Sequence, residues 1–167
     1  MSNLVYLSLG SNMGDREINL REAIGGLQAQ GRVDLVSSFY ETEPLEVTDQ
    51  SWFLNCAMSL ETAQTPQQLM RSILDTEHRM GRRRVQKKGP RVIDIDILLF
   101  DDLIVDSAEL TIPHPAMQQR RFVLEPLAEI APDARHPVLQ KTVRELLDAL
   151  PPGQKVRKIS KAITADS

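Results

Sequence analysis

Hydrophobic and polar positions alternate most regularly in "FLNCAMSL", residues 53–60, where Leu54, Cys56, Met58 and Leu60 share one face of a strand and Phe53, Asn55, Ala57 and Ser59 the other. "LVYLSLG" is apolar on both faces, which predicts an interior strand ending at Gly10, with Gly10, Ser11 and Asn12 as a structural turn. Leu20, Ala23, Ile24 and Leu27 then recur at helical spacing and Gly31 supplies a stop. "RVDLVSSFYET" reads as a second strand. In "TPQQLMRSILDTEHRMG", Thr65 is the N-cap, Pro66 opens the first turn and Gln68 closes a capping box. The apolar stripe of that helix is Leu69, Met70, Ile73 and Leu74, and Gly81 ends it.

"GPRVIDIDILLF" predicts another strand, with Ile93, Ile95, Ile97 and Leu99 on one face and Asp94, Asp96, Leu98 and Phe100 on the other. "LIV" and "LTI" predict a short hairpin near residues 103–112, and "RRFVLEPLAEIAP" a helix. Thr142 and Glu145 form a second capping box for a helix through Val143, Leu146, Leu147 and Leu150, stopped by Pro151 and Pro152. The last dozen residues are polar and expected to fray. The order β, α, β, β, α, β argues for an α+β fold of ferredoxin-like plan: an antiparallel sheet with both helices of the repeat on one face, in a three-layer α-β-α arrangement.

At 167 residues and 41% hydrophobic, the chain suits a single catalytic domain, residues 1–160, with 161–167 as a frayed tail. A formal charge of −3 does not suggest attachment to nucleic acid or membrane by global charge. The lone Cys56 excludes an internal disulfide and a thiolate zinc site, consistent with a reducing cytoplasm. The N-terminus lacks a basic leader and reads as a first strand, and no run approaches a membrane span.

Local charge is more telling. Asp94 and Asp96 stand on the same side of one strand, roughly 6–7 Å apart at Cα. Burying such a pair costs several kcal/mol, on the order set by ion desolvation, unless something positive compensates. Immediately before them, "RMGRRRVQKKGPR" holds seven basic side chains and no acidic one. A basic segment beside paired carboxylates suits a polyphosphate bound through Mg²⁺, with carboxylates on the metal, metal on phosphate oxygens, and Arg and Lys on the remaining charge. Simple salt bridging of each aspartate by the loop is the plainer alternative. Phe53 and Asn55 together offer a ring to stack on and an amide to read a flat heterocycle.

In order and spacing, "SLGSNMGD", "SSFYETEPL", "FLNCAMSLET", "GPRVIDIDILLF" and "TIPHPAMQQRRFVLEPLAEIAP" resemble the motifs of 6-hydroxymethyl-7,8-dihydropterin pyrophosphokinases across residues 3–150. The resemblance implies transfer of pyrophosphate from ATP to the hydroxymethyl oxygen of a reduced pterin, a step of folate biosynthesis that leaves AMP. It implies that Asp94 and Asp96 hold two Mg²⁺ ions, that Phe53 and Phe122 sandwich the pterin, that Asn55 reads its edge, and that Thr42, Pro44 and Leu45 complete the pocket. Arg82, Arg84 and Arg91 match phosphate-contacting residues, Arg82 and Arg91 acting on the reaction step. Glu77, Ile97, Thr111, His114 and Arg120 match the nucleotide side. ATP is then the co-substrate, and the protein a cytoplasmic monomer with no nucleic-acid or membrane partner. The chain departs from common members at Glu46 (often glycine), Leu74 (glutamine in some), Lys88 (aromatic in some) and Pro115 (tyrosine in others). Two readings compete: a ferredoxin-like RNA-binding module, and a two-metal nucleotidyl transferase or cyclase. Seven aromatics and two aspartates on the sheet argue against the first, and release of pyrophosphate instead of AMP would mark the second.

Overall fold

The computed structural model describes residues 2–43, 52–81 and 92–159. Strand β1 (Asn3–Ser11) is followed by helix α1 (Arg16–Leu27), whose N-cap Asp15 accepts a hydrogen bond from the Ile18 amide at 3.1 Å. Next come β2 (Arg32–Val36), β3 (Tyr40–Thr42) and β4 (Phe53–Thr62), then helix α2 (Pro66–Arg79) with the expected reciprocal Thr65–Gln68 capping box. Strand β5 (Asp94–Phe100) leads into a short hairpin, β6 (Val105–Asp106) and β7 (Thr111–Ile112). Helices α3 (Arg121–Ile130) and α4 (Val143–Asp148) and strand β8 (Val156–Lys158) complete the described chain.

The main sheet is antiparallel at every pairing and runs β5-β1-β4-β3-β8, with β2 also paired to β4. Two apolar clusters form against it. One joins α1 and α2 (Leu20, Ala23, Ile24, Leu27, Leu69, Ile73) to Val5, Leu7, Leu9, Leu54, Cys56, Met58, Ile95 and Ile97. The other joins α3 and α4 (Val123, Leu124, Leu127, Val143, Leu146, Leu147) to Ala57, Leu98 and Leu99. This is why β1 and β4 are buried on both faces along most of their length. Cys56 lies in the first cluster, where burial pushes its thiol up to about 12, a protonated and unreactive state.

Five expectations need correction. β1 continues through Gly10 and Ser11, so these two are strand residues, and the left-handed turn falls at Gly14, φ +65°. The segment 32–42 is two strands, because the Ser37 hydroxyl accepts the Ala57 amide at 2.8 Å and interrupts the ladder. On β5 the register slips: Leu7 faces Ile97 while Tyr6 faces Leu99, so Leu98 is an inserted residue. Leu99 thereby joins the α3/α4 cluster and Phe100 the α1/α2 cluster, the reverse of strict alternation. Leu74 is 43% exposed, and Thr76 and Glu77 take its place on the buried face of α2. Lastly, within the polar terminus, Val156–Lys158 pairs with β3 instead of fraying; residues 160–167 lie outside the described residues.

At the break between β2 and β3, the Glu129 carboxylate on α3 accepts from the Ser38 amide (3.0 Å), the Ser38 hydroxyl (3.0 Å) and the Tyr40 hydroxyl (2.6 Å). Burial, then this bond, raises the Tyr40 phenol well above its ordinary value. Glu129→Ala strands three donors in a dry place, and we expect it to cost about 2–3 kcal/mol, since an unsatisfied buried polar group costs about 1–3. Urea unfolding checks this, and a loss below about 0.5 kcal/mol would show that water replaces the carboxylate.

Candidate active site

Residues directly opposite one another on paired strands project to the same side of a sheet. Gly10 on β1 faces Asp94 on one neighbour and Asn55 on the other; Ser8 faces Asp96 and Ala57. On β3, Tyr40 faces Asn55 and Thr42 faces Phe53. The two aspartates, Asn55, Phe53 and Thr42 therefore share one face, the side of α3, because Tyr40 there reaches Glu129. Asp94 and Asn55 sit two strands apart, about 10 Å at two interstrand spacings.

At the far end of this row Asn55 is buried, its Oδ1 accepting from the Thr42 hydroxyl at 2.6 Å and its Nδ2 donating to the Leu9 carbonyl at 3.4 Å. Bonds at both ends of the amide fix its orientation. The amide occupies the space above Gly10: a Cβ there would lie 2.5 Å from Asn55 Nδ2 and 3.5 Å from the Phe53 ring. Gly10 is thus part of the site, which reading it as a turn missed; the available signal was a glycine inside an apolar strand pattern, which marks close approach. Phe53 remains half-buried.

At the near end, Asp94 and Asp96 are half-buried, and His114 brings Nε2 to 3.9 Å from Asp96 Oδ2. The histidine is held by its own amide, which donates to the Leu98 carbonyl at 3.0 Å, and by Nδ1, which accepts from the Ala116 amide at 3.2 Å. Burial first, then the Arg120 guanidinium, lowers its pKa to about 4 against the opposing pull of Asp94. The imidazole is therefore neutral at pH 7, and its contact with Asp96 is not an ion pair. Because Nδ1 accepts, the proton resides on Nε2, on the carboxylate side. The Arg120 guanidinium lies 5.6 Å from the centroid of Phe122, so the arginine expected at the nucleotide and the ring expected at the pterin are neighbours.

Not every expected residue joins this face. The buried Glu77 carboxylate accepts the Ile95 amide at 2.8 Å, from the α2 side, and the Ile97 side chain belongs to the α1/α2 cluster. Thr111 is exposed at the start of β7. Pro44, Leu45, Arg82, Arg84 and Arg91, with Glu46 and Lys88, lie outside the described residues. Among the described residues no group of three or more His, Cys, Asp or Glu side chains is arranged to hold a metal. A pair of half-exposed carboxylates is nonetheless what Mg²⁺ takes when substrate phosphates and water complete its octahedron; a self-sufficient protein cage is not required.

The chain is similar to known proteins in sequence and in fold. Residues 6–132 match the model of the family described as 7,8-dihydro-6-hydroxymethylpterin-pyrophosphokinase (HPPK). The chain is 45% identical over 132 residues to the 2-amino-4-hydroxy-6-hydroxymethyldihydropteridine pyrophosphokinase of Bacillus subtilis, covering 78% of this chain and 79% of that protein. For the Methylorubrum extorquens protein of the same name the figures are 44% over 149 residues, 88% and 93%. Folic acid synthesis protein fol1 of Schizosaccharomyces pombe is 43% identical over 90% of this chain, which spans only 21% of that longer protein. In fold, the chain resembles wild-type Plasmodium falciparum HPPK-DHPS with a TM-score of 0.73 at 17% identity, over 89% of this chain and 44% of that one. The chain belongs to the 7,8-dihydro-6-hydroxymethylpterin-pyrophosphokinase family.

Proposed function

We propose that this chain transfers pyrophosphate from ATP to the hydroxymethyl oxygen of 6-hydroxymethyl-7,8-dihydropterin, giving the pterin diphosphate and AMP, a step of folate biosynthesis. Family membership supports the activity. The observation that carries the assignment of its parts is the single sheet face on which Asp94 and Asp96 stand about two strand spacings from Asn55 and Phe53. The hydroxyl oxygen attacks the β-phosphorus, the bond from that phosphorus to the α-phosphate oxygen breaks, AMP departs, and the hydroxyl proton is released. We read the fold as the ferredoxin-like plan in three layers, which the strand order and the two apolar clusters support.

Asp94 and Asp96 would hold the metal, two Mg²⁺ ions by the family resemblance, which would neutralise phosphate charge and polarise the group being transferred. Neutral His114 offers Nε2–H as a donor to the nucleotide without adding charge of its own, and Arg120 supplies charge to the phosphates. Arg82, Arg84 and Arg91 add to it, with Arg82 and Arg91 acting on the reaction step. Glu77, Ile97 and Thr111 belong to the nucleotide side, Glu77 and Ile97 by supporting β5 from behind. Thr42 orients Asn55 to read the pterin edge, Phe53 and Phe122 stack on its faces, and Pro44 and Leu45 close the pocket. With no strong base near the site among the described residues, positioning and electrostatics must provide most of the acceleration. No helix among the described residues is long and apolar enough to cross a membrane; a cytoplasmic monomer acting on small molecules fits the reading.

Phe53→Ala and Phe122→Ala each test the pocket assignment. Stacking on one aromatic face is worth roughly 1–3 kcal/mol by analogy with nucleobases, so pterin affinity should fall about 5- to 150-fold while nucleotide affinity holds. Calorimetric titration with each ligand separates the two, and a variant that loses nucleotide affinity alone would reverse the assignment.

A further inference from the structure

On the opposite face of the sheet, behind the Thr42–Phe53 pair, the strand ends are backed by an open polar cleft of about 570 Å³ instead of by core. Glu41 lies on this side, because it faces Leu54, a member of the α1/α2 cluster. Arg16, the first residue of α1, reaches across the cleft and makes two attachments with one guanidinium. Its Nη1 donates to the Trp52 carbonyl at 2.8 Å, and Nη1 and Nη2 both lie 3.4 Å from Glu41 Oε1. Glu41 directly precedes Thr42, and Trp52 directly precedes Phe53.

We propose that Arg16 is a positioning residue of the pterin half-site: from behind the sheet it ties β3 to β4 beside the Thr42–Phe53 pair, and so sets the spacing of a hydroxyl that orients Asn55 and a ring that stacks on the substrate. The inference rests on the pocket assignment above. A fork of fixed geometry suits this task better than a point charge, because one planar group must satisfy a carboxylate and a carbonyl at once. Arg157 also grips Glu41, at 3.1 Å from Oε2, but its side chain is 70% exposed against 28% for Arg16, and among the described residues it makes no bond to β4. An exposed pair of that kind contributes little. The two arginines therefore serve as test and control on one carboxylate.

The experiment measures the affinities of 6-hydroxymethylpterin and of α,β-methylene-ATP, each with Mg²⁺, together with thermal stability, for the full chain and for Arg16→Ala, Arg16→Lys and Arg157→Ala. Arg16→Ala should weaken pterin binding ~10-fold, about the worth of one well-oriented hydrogen bond, while nucleotide affinity stays at the wild-type value. Arg16→Lys, which keeps a donor for the Trp52 carbonyl, should lose less, and Arg157→Ala should match the wild type. If Arg16→Ala fails to fold, the lysine variant decides, by an intermediate loss confined to the pterin. Unchanged pterin affinity in both Arg16 variants, or equal weakening of both ligands, overturns the inference and leaves the pocket assignment standing. A wild-type chain that binds nucleotide but no pterin overturns that assignment, and this inference with it.

Discussion

Replacing Asp94 or Asp96 by asparagine is expected to slow AMP formation by ~100-fold or more, the scale of one key electrostatic group at about 3 kcal/mol, and to leave folding intact. The change keeps the shape of the side chain and removes one charge from a face that must meet a triphosphate through Mg²⁺. Structure argues that stability survives. Asp96 is 35% exposed at its side chain, and the imidazole 3.9 Å from it is neutral at pH 7, so the His114 contact itself does not depend on the charge of the carboxylate. Each substitution also relieves repulsion between two adjacent carboxylates while metal is absent. Steady-state AMP production and metal-free thermal unfolding, measured on the same preparations, check both halves. Full Mg²⁺-dependent activity, or a variant that unfolds, would make the two aspartates structural.

Gly10→Ala should separate binding from folding in the other substrate's pocket. The added methyl group would meet Asn55 Nδ2 at 2.5 Å, far inside van der Waals contact, so the amide must swing away from the Thr42 hydroxyl and the Leu9 carbonyl. Because the obstructing atom ends a side chain, the strand itself can stay in place, and stability should fall by only about 1–2 kcal/mol, the lower range for overpacking. Pterin affinity should fall at least ~10-fold, through loss of an oriented hydrogen-bonding amide at about 1.5 kcal/mol or more. Gly31 is the contrast: a Cβ there would lie 2.2 Å from the backbone carbonyl oxygen of Glu61, so Gly31→Ala should damage folding itself. Thermal melts beside pterin titrations distinguish the two. A Gly10→Ala chain with wild-type pterin affinity would mean that Asn55 does not read the pterin.

Strands and capped helices were legible wherever one local signal controlled them. The Thr65–Gln68 and Thr142–Glu145 boxes are reciprocal in the structure, and the alternation of Leu54, Cys56, Met58 and Leu60 puts them in one cluster, as read. Errors arose where a distant partner decided. The inserted Leu98 exchanges the faces of Leu99 and Phe100 through the register against β1, which no pattern within β5 records. The Ser37 hydroxyl replaces a ladder carbonyl only because Ala57 lies opposite it. β8 exists through pairing with β3, reinforced by the bond from the Lys155 amide to the Glu43 carboxylate at 2.8 Å, and its own composition is that of a tail. For the site, the shared face of Asp94 and Asp96 followed from a period of two. That Asn55 stands in the same row, with Gly10 making room between them, required the pairing of three strands. The family resemblance alone assigns Glu77 and Ile97 to the nucleotide side; alternation along β5 already sets Ile97 opposite the aspartates, and the structure keeps it and Glu77 on the α1/α2 side.

The bond that breaks defines the reaction. Incubating the chain with ATP, Mg²⁺ and 6-hydroxymethyl-7,8-dihydropterin, and separating nucleotides and pterins by anion-exchange chromatography, reads it directly. AMP and pterin diphosphate should form in equal amounts, with neither formed when pterin or Mg²⁺ is withheld. Release of free pyrophosphate with the adenylyl group retained on the acceptor, or formation of ADP with a pterin monophosphate, would contradict it.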